Sequence, residues 1–256
     1  MRYLVINKRQ VSTFIAIAVF ALVLFSVAMG SFKIEQTVTK NKKIPIYAVS
    51  REEKLISLTF DAAWGNDDTK QLIDVLGKHE VKATFFIVGN WARKFPQDVK
   101  AFADAGHEIA NHSNTHAHMA EISKEKVQQE LELCSKELES ITGVKPILHR
   151  APYGEYSNTL LELTDALKMK CIQWDVDSLD YRGLSADQIQ KRVLERVKPG
   201  SIILFHNGAK STPAALDGLI TSLKAQGYKI VPVSENIYME NYTLDNSGRQ
   251  HLITAS

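Results

Sequence analysis

Between residues 54 and 236 the chain alternates short, continuous apolar runs with amphipathic stretches, in about seven units, and polar residues gather where most of the apolar runs end. Residues 55–60, 83–88, 108–111, 147–149, 169–176, 201–205 and 229–233 read as strands. Residues 68–79, a segment ending near Gly106, and residues 123–141, 158–167, 186–197 and 214–225 read as helices. The clearest helix is 123–141. Ser123 suits its N-cap, Glu125 puts a negative charge in its first turn, and Gly143 stops it. Strands without polar alternation, joined by helices, mean a parallel sheet covered on its faces. In such folds the ligand site lies at the carboxyl ends of the strands. Polar clusters after the first, third, fourth, fifth and sixth strands converge most naturally in a barrel.

The 256 residues are 45% apolar and 23% charged, enough for one sizeable core. A net charge of +2, without a basic run interleaved with aromatics, sets nucleic acid aside as a partner. Residues 11–29 carry no charge and follow Arg2, Lys8 and Arg9. That pattern predicts a signal anchor, with Ser26-Val27-Ala28 as a possible cleavage site. The expected organisation is a transmembrane segment at 1–32, a linker at 33–53, the folded domain at 54–236 and a polar, turn-rich tail at 237–256. The expected location is membrane-anchored and extracytoplasmic, or secreted if the anchor is cleaved. Cys134 and Cys171 are too few for a disulfide framework and read as buried free thiols.

The polar clusters carry the chemistry. His112 and His116 are four residues apart, and two neutral imidazoles with carboxylate or water oxygens suit a zinc-like ion. An isolated pair at that spacing also arises by chance. Asp61 ends the first strand as a helix cap would, or as a general base whose charge a neighbour such as Arg150 holds. His206 ends an apolar strand and suits a general acid, with Asp177 or Asp180 fixing its tautomer.

Taken in order, Thr59-Phe60-Asp61, His112-Ser113-x-x-His116, Arg150-Ala151-Pro152-Tyr153, Asp177-x-x-Asp180-Tyr181 and Leu204-x-His206 resemble the five motifs of the NodB-type polysaccharide deacetylases, carbohydrate esterase family 4. With the apolar N-terminus, the Ala62-Ala63-Trp64-Gly65 variant looks most like the PdaB-type sporulation deacetylases. The resemblance implies an α/β fold, a distorted (β/α)7 TIM-like barrel preceded by the transmembrane helix. It implies Asp61 as base, Arg150 as its holder and His206 as acid. Asp180, with Asp177 as the alternative, would partner His206, and the Tyr153 amide would be an oxyanion donor. His112 and His116 would be metal ligands for zinc or cobalt. Tyr181 and Leu204 would line an acetyl pocket, where the family usually has tryptophan at the position of Tyr181. Trp64 joins them as an expected substrate contact.

One departure matters most. The family pattern continues Asp-Asp-Gly, and its second Asp is a metal ligand; here Ala62 follows Asp61. Asp61 could ligate the ion itself, Asp67 or Asp68 could move in, or the site could be metal-poor. Asp67 and Asp68 also suit the cap of the next helix. The expected function is metal-assisted removal of N-acetyl groups from cell-wall glycan, peptidoglycan of the spore envelope in particular. The rivals are a catalytically impaired glycan-binding scaffold and an O-acetyl esterase.

Overall fold

The structure, a computed structural model, describes residues 43–253. After Ala48–Val49 (β1), the central strand is Leu55–Ala62 (β2), followed by Thr69–Lys78 (α1). Thr84–Ile87 (β3) leads into Gly89–Lys94 (α2) and Pro96–Asp104 (α3), two helices where the sequence reads as one. The break falls at Phe95, because the residue before a proline disfavours helical backbone. Glu108–Asn111 (β4), Lys124–Thr142 (α4), Leu148–His149 (β5), Asn158–Ala166 (α5), Lys170–Cys171 (β6) and Val176–Asp177 (β7) follow. Then come Ala186–Leu194 (α6), Ile202–His206 (β8), Thr212–Ala225 (α7), Lys229–Ile230 (β9) and Val233–Asn236 (α8).

The main sheet is parallel, in the order β6-β5-β4-β3-β2-β8-β7, with β9 against the start of β2. It is curled and open: β6 and β7 do not pair. The expected distorted (β/α)7 TIM-like barrel is corrected to a curled, half-barrel sheet. The run 169–176 is not one strand, because its middle residues have other partners. The Gln173 amide donates to the Ile46 carbonyl, and the Asp175 carboxylate takes the Ser201 hydroxyl and the Ile202 amide. The stretch before β2 fills the gap, with Ile46 bridged to Ile172 and Ala48 to Ser201. The polar segments read as linker and tail meet in a second, three-stranded sheet. There β1 pairs with Arg249–Leu252 (β11), which pairs with Tyr242–Leu244 (β10).

The expected membrane-spanning helix, and with it the membrane as a partner and an anchored, extracytoplasmic location, are likewise corrected. No helix among the described residues is long and apolar enough to cross a membrane. The run 11–29 that motivated the expectation lies outside the described residues.

Strand alternation divides the sheet into two working faces. Leu58, Phe60, Ala62, Phe85, Ile87, Ile203 and Phe205 pack on the helices in one apolar cluster. Phe60 stacks on Phe85 at 4.9 Å and on Phe205 at 5.5 Å. Each such ring taken out of water contributes about 1.5–3 kcal/mol. Phe86, Ala110, Leu148 and Ile202 fill the concave side. Thr59, Asp61, Leu204 and His206 alternate with the helix-facing residues and so share that concave side.

Gly200 joins β8 to the N-terminal segment. Its φ is +80°, and a Cβ there would lie 1.9 Å from the Val49 carbonyl oxygen. Gly200→Ala should therefore lower stability by at least about 1–3 kcal/mol, the usual cost of a strained backbone. Urea denaturation of the two proteins checks this.

Candidate active site

The centre of the site is a buried ion pair. Arg150, fully buried just after β5, donates from Nη1 to Asp61 Oδ1 at 2.7 Å and to Thr59 Oγ1 at 2.9 Å. Its Nη2 donates to the Gln173 carbonyl at 3.1 Å, and its guanidinium lies 4.1 Å from the Phe86 ring centroid. Burial alone would push the Asp61 carboxyl up. The Arg150 cation, helped by His112 and His206, outweighs it and holds Asp61 below the ordinary carboxylate range. With Oδ1 committed to Arg150, Asp61 Oδ2 faces His112 Nε2 at 3.5 Å.

His112 follows β4 and is buried. Its Nδ1 meets the Arg150 carbonyl oxygen at 2.8 Å, so Nδ1 carries the hydrogen and Nε2 the lone pair. The loop to His116 uses two residues in left-handed backbone, Ser113 at φ 66° and His116 at φ 62°. The Ser113 hydroxyl accepts the His116 amide at 3.0 Å, and Asn111 Oδ1 accepts the Ser113 amide at 2.9 Å. The loop also closes on the start of α2, where the Gly89 and Asn90 amides donate to the Ser113 and Asn114 carbonyls. A Cβ at position 89 would sit 2.6 Å from Asn114 Oδ1, which is why glycine stands there. The His116 ring lies edge-on between Trp64, at 4.7 Å, and Tyr153, at 4.6 Å. Burial first, then the neighbouring His112, lowers the His116 pKa to about 4, and burial lowers that of His112. Both rings are therefore neutral at pH 7.

Across the site, β8 pairs Asp61 with His206. His206 Nδ1 meets Asp180 Oδ1 at 2.8 Å, and the His206 amide donates to Asp180 Oδ2 at 2.8 Å. Burial pushes the His206 pKa down. The Asp180 hydrogen bond and the charges of Asp61 and Asp180 outweigh it, leaving a net rise above 6.5. Asp177, the alternative partner, instead accepts the Leu179 amide at 2.8 Å and the Tyr181 hydroxyl at 3.4 Å.

These groups border one cavity of about 710 Å³. Of the sequence-derived site residues, Asp61, Trp64, His112, His116, Tyr153, Asp180, Tyr181, Leu204 and His206 line it, and Arg150 lies behind Asp61. The Trp64, Tyr153 and Tyr181 rings are exposed. Sequence reading missed Trp174 and Asn207 as lining residues. Asn207 ties down the Trp64 loop, accepting the Ala63 amide at 3.3 Å and donating to the Gly65 carbonyl at 2.9 Å. Asp68 precedes α1 as expected, but its side chain caps nothing. Its Oδ2 accepts the Gly208 amide at 2.7 Å and braces the loop after His206.

Neutral imidazole nitrogens and carboxylate oxygens are donor types that divalent ions take. The Nδ1 of His116 is buried without a hydrogen-bond partner, a costly state that a ligand relieves. The His112 ring centroid is 5.1 Å from that of His116, and His112 Nε2 faces Asp61 Oδ2 at 3.5 Å. Ala62 contributes nothing: it packs in the helix-side apolar cluster, on the opposite face of β2 from Asp61. Among the described residues, the one group whose three ligand atoms lie within 4.8 Å of one another is His118, Glu121 and Glu155. It is a candidate metal-ligand cluster outside the cavity lining, with the His118 ring stacked on Tyr153 at 4.2 Å.

Carboxylate, cation and imidazoles at the carboxyl ends of a parallel α/β sheet define the class of a hydrolase-type site. The family model described as polysaccharide deacetylase matches residues 48–172. The peptidoglycan-N-acetylmuramic acid deacetylase PdaA of Bacillus subtilis is 32% identical over 203 residues, covering 77% of each chain. The uncharacterized protein YlxY of Bacillus subtilis is 33% identical over 191 residues, 75% of this chain and 60% of that protein. The crystal structure of BA3943 from Bacillus anthracis, described as a CE4 family pseudoenzyme, superposes with a TM-score of 0.74 at 32% identity. That match covers 82% of this chain and 72% of that one. The chain belongs to the polysaccharide deacetylase family, carbohydrate esterase family 4, a family of glycan-modifying hydrolases.

Replacing Arg150 with Met leaves the Asp61 charge buried and unpaired. The variant should lose roughly 3–5 kcal/mol of stability at neutral pH. Thermal and urea unfolding measure that loss.

Proposed function

We propose that the protein is a metal-dependent N-deacetylase acting on N-acetylated cell-wall glycan, peptidoglycan in particular. One observation carries the reading. Asp61, held ionised by Arg150, and His206, held by Asp180, border the same cavity on paired strands, beside two neutral imidazoles. Asp61 Oδ2 takes the proton of an attacking water. His206 Nε2, the ring nitrogen not engaged by Asp180, gives a proton to the departing amine, and acetate leaves. The Tyr153 amide is assigned to the oxyanion. His112 and His116 would hold a divalent ion, zinc or cobalt, which when bound would supply polarisation of the acetamide carbonyl. Trp64, Tyr181 and Leu204 border the space for the sugar and its acetyl methyl. The peptidoglycan substrate rests on the description of PdaA, and the PdaB-type sporulation assignment on the Ala62-Ala63-Trp64-Gly65 variant.

Acetate release from N-acetylated peptidoglycan fragments tests the reading. Release should rise with added zinc or cobalt, stop with chelator and vanish in Asp61→Asn. No release under any metal from the folded protein would overturn it. The pH profile should be a bell. Asp61 works ionised and His206 protonated. Activity should therefore fall as pH drops through a value below 3.8, and fall as pH rises through a value above 6.5.

A second reading, a glycan-binding protein with impaired turnover, draws on Ala62 and on the similarity to BA3943. A mutant of BA3943 is described as having restored enzymatic activity. The Ala62→Asp variant separates the two. On the first reading the new carboxylate is buried against apolar neighbours, costs about 1–3 kcal/mol and adds no acetate release. A gain of release and of metal affinity would favour the second.

A further inference from the structure

Thr212 is the first residue of α7, and its side chain is fully buried. Its hydroxyl donates to Asp180 Oδ2 at 2.7 Å. The helix does not use this hydroxyl: Ser211 occupies the N-cap position without a side-chain cap bond, and Pro213 follows Thr212. The Asp180 carboxylate has three hydrogen-bond partners, and two of them belong to His206 itself, its amide and its Nδ1. Thr212 is the third, and it alone comes from a different element. Without it, the carboxylate would be held only by the residue it orients.

We infer that Thr212 is a positioning residue: its hydroxyl sets the plane of the Asp180 carboxylate and so keeps neutral His206 in the Nδ1–H form, with Nε2 free toward the cavity. Oδ2 takes two donors, Thr212 and the strand amide, which leaves Oδ1 for the ring. A carboxylate with two donors on one oxygen cannot rotate without breaking one of them. The same logic operates across the site, where the Thr59 hydroxyl accepts from Arg150 and donates to the Ile203 carbonyl at 2.7 Å. Each charged pair is thus backed by a buried threonine. The kinetic consequence rests on the deacetylase reading, whereas the tautomer consequence does not.

The test compares wild type with Thr212→Val, which keeps the shape, and Thr212→Ser, which keeps the hydroxyl. The first readout needs no turnover: the ¹⁵N resonances of the His206 ring, at one pH where the ring is neutral. Wild type and Thr212→Ser should show the Nδ1–H tautomer, and Thr212→Val a mixture. The second readout is acetate release. Thr212→Val should lower kcat by on the order of 10-fold, a fraction of what a general acid contributes, with KM within about twofold. Thr212→Ser should recover most of it, and in an Asp180→Asn background Thr212→Val should cost nothing further. An unchanged tautomer in Thr212→Val overturns the inference, as does equal loss in the Val and Ser variants. If wild type releases no acetate, the deacetylase reading fails and the tautomer comparison alone decides the role of Thr212.

Discussion

The buried pair of Arg150 and Asp61 is the interaction on which the rest of this structure depends. Burying a guanidinium is costly unless every direction it faces offers charge, hydrogen bonds or a ring. Here Asp61 supplies the charge, Thr59 and the Gln173 carbonyl supply hydrogen bonds, and Phe86 supplies the ring face. The backbone carbonyl of the same residue orients His112. One residue therefore ties β2, β3, β4 and the segment after β6 to the chemistry at their ends. This explains why the sheet curls tightly there without closing. The Gln173 carbonyl turns to Arg150 and the Gln173 amide to Ile46 instead of extending a strand across to β7.

Around that pair the chain spends backbone strain where the cavity is. Four of the non-glycine residues with positive φ lie in the loops that deliver the site: Ser113, His116, Tyr153 and Leu179. Such conformations cost of order 1–3 kcal/mol each and persist when the surroundings over-determine them. The surroundings here are specific. The Ser113 hydroxyl holds His116, the Gly89 and Asn90 amides hold the Ser113–Asn114 backbone, and Asp177 holds the Leu179 amide. The imidazoles and aromatic rings are thereby presented on short rigid loops.

Ala62 shows how the two faces of one strand divide labour. Asp61 is on the concave face with the ionisable groups, and Ala62 is one residue on, among Ile87, Trp91 and the helix-side core. Position 62 therefore places a small apolar side chain in the helix-side core, paired with Ile87. The concave face carries two neutral imidazoles beside an ionised aspartate.

The sequence by itself determined the parallel α/β class and most strand and helix positions, and it named residues that the fold brings to one cavity. Periodic apolar runs and residues such as Ser123 and Gly143 act locally, and their consequences appear where expected: Ser123 caps α4 and Gly143 ends it in left-handed backbone. Asp61, His112, Arg150 and His206 were legible because each ends an apolar run. The tertiary structure alone decided the open edge between β6 and β7, the hairpin of the C-terminal segment against β1, and the brace from Asp68 to Gly208. It also decided that Asp180 rather than Asp177 engages His206, and that Thr212 and Asn207 support the site. The physical reason is common to all of these. Each depends on which partner a polar group meets in the folded chain, and those partners lie tens of residues away, where no local pattern records them.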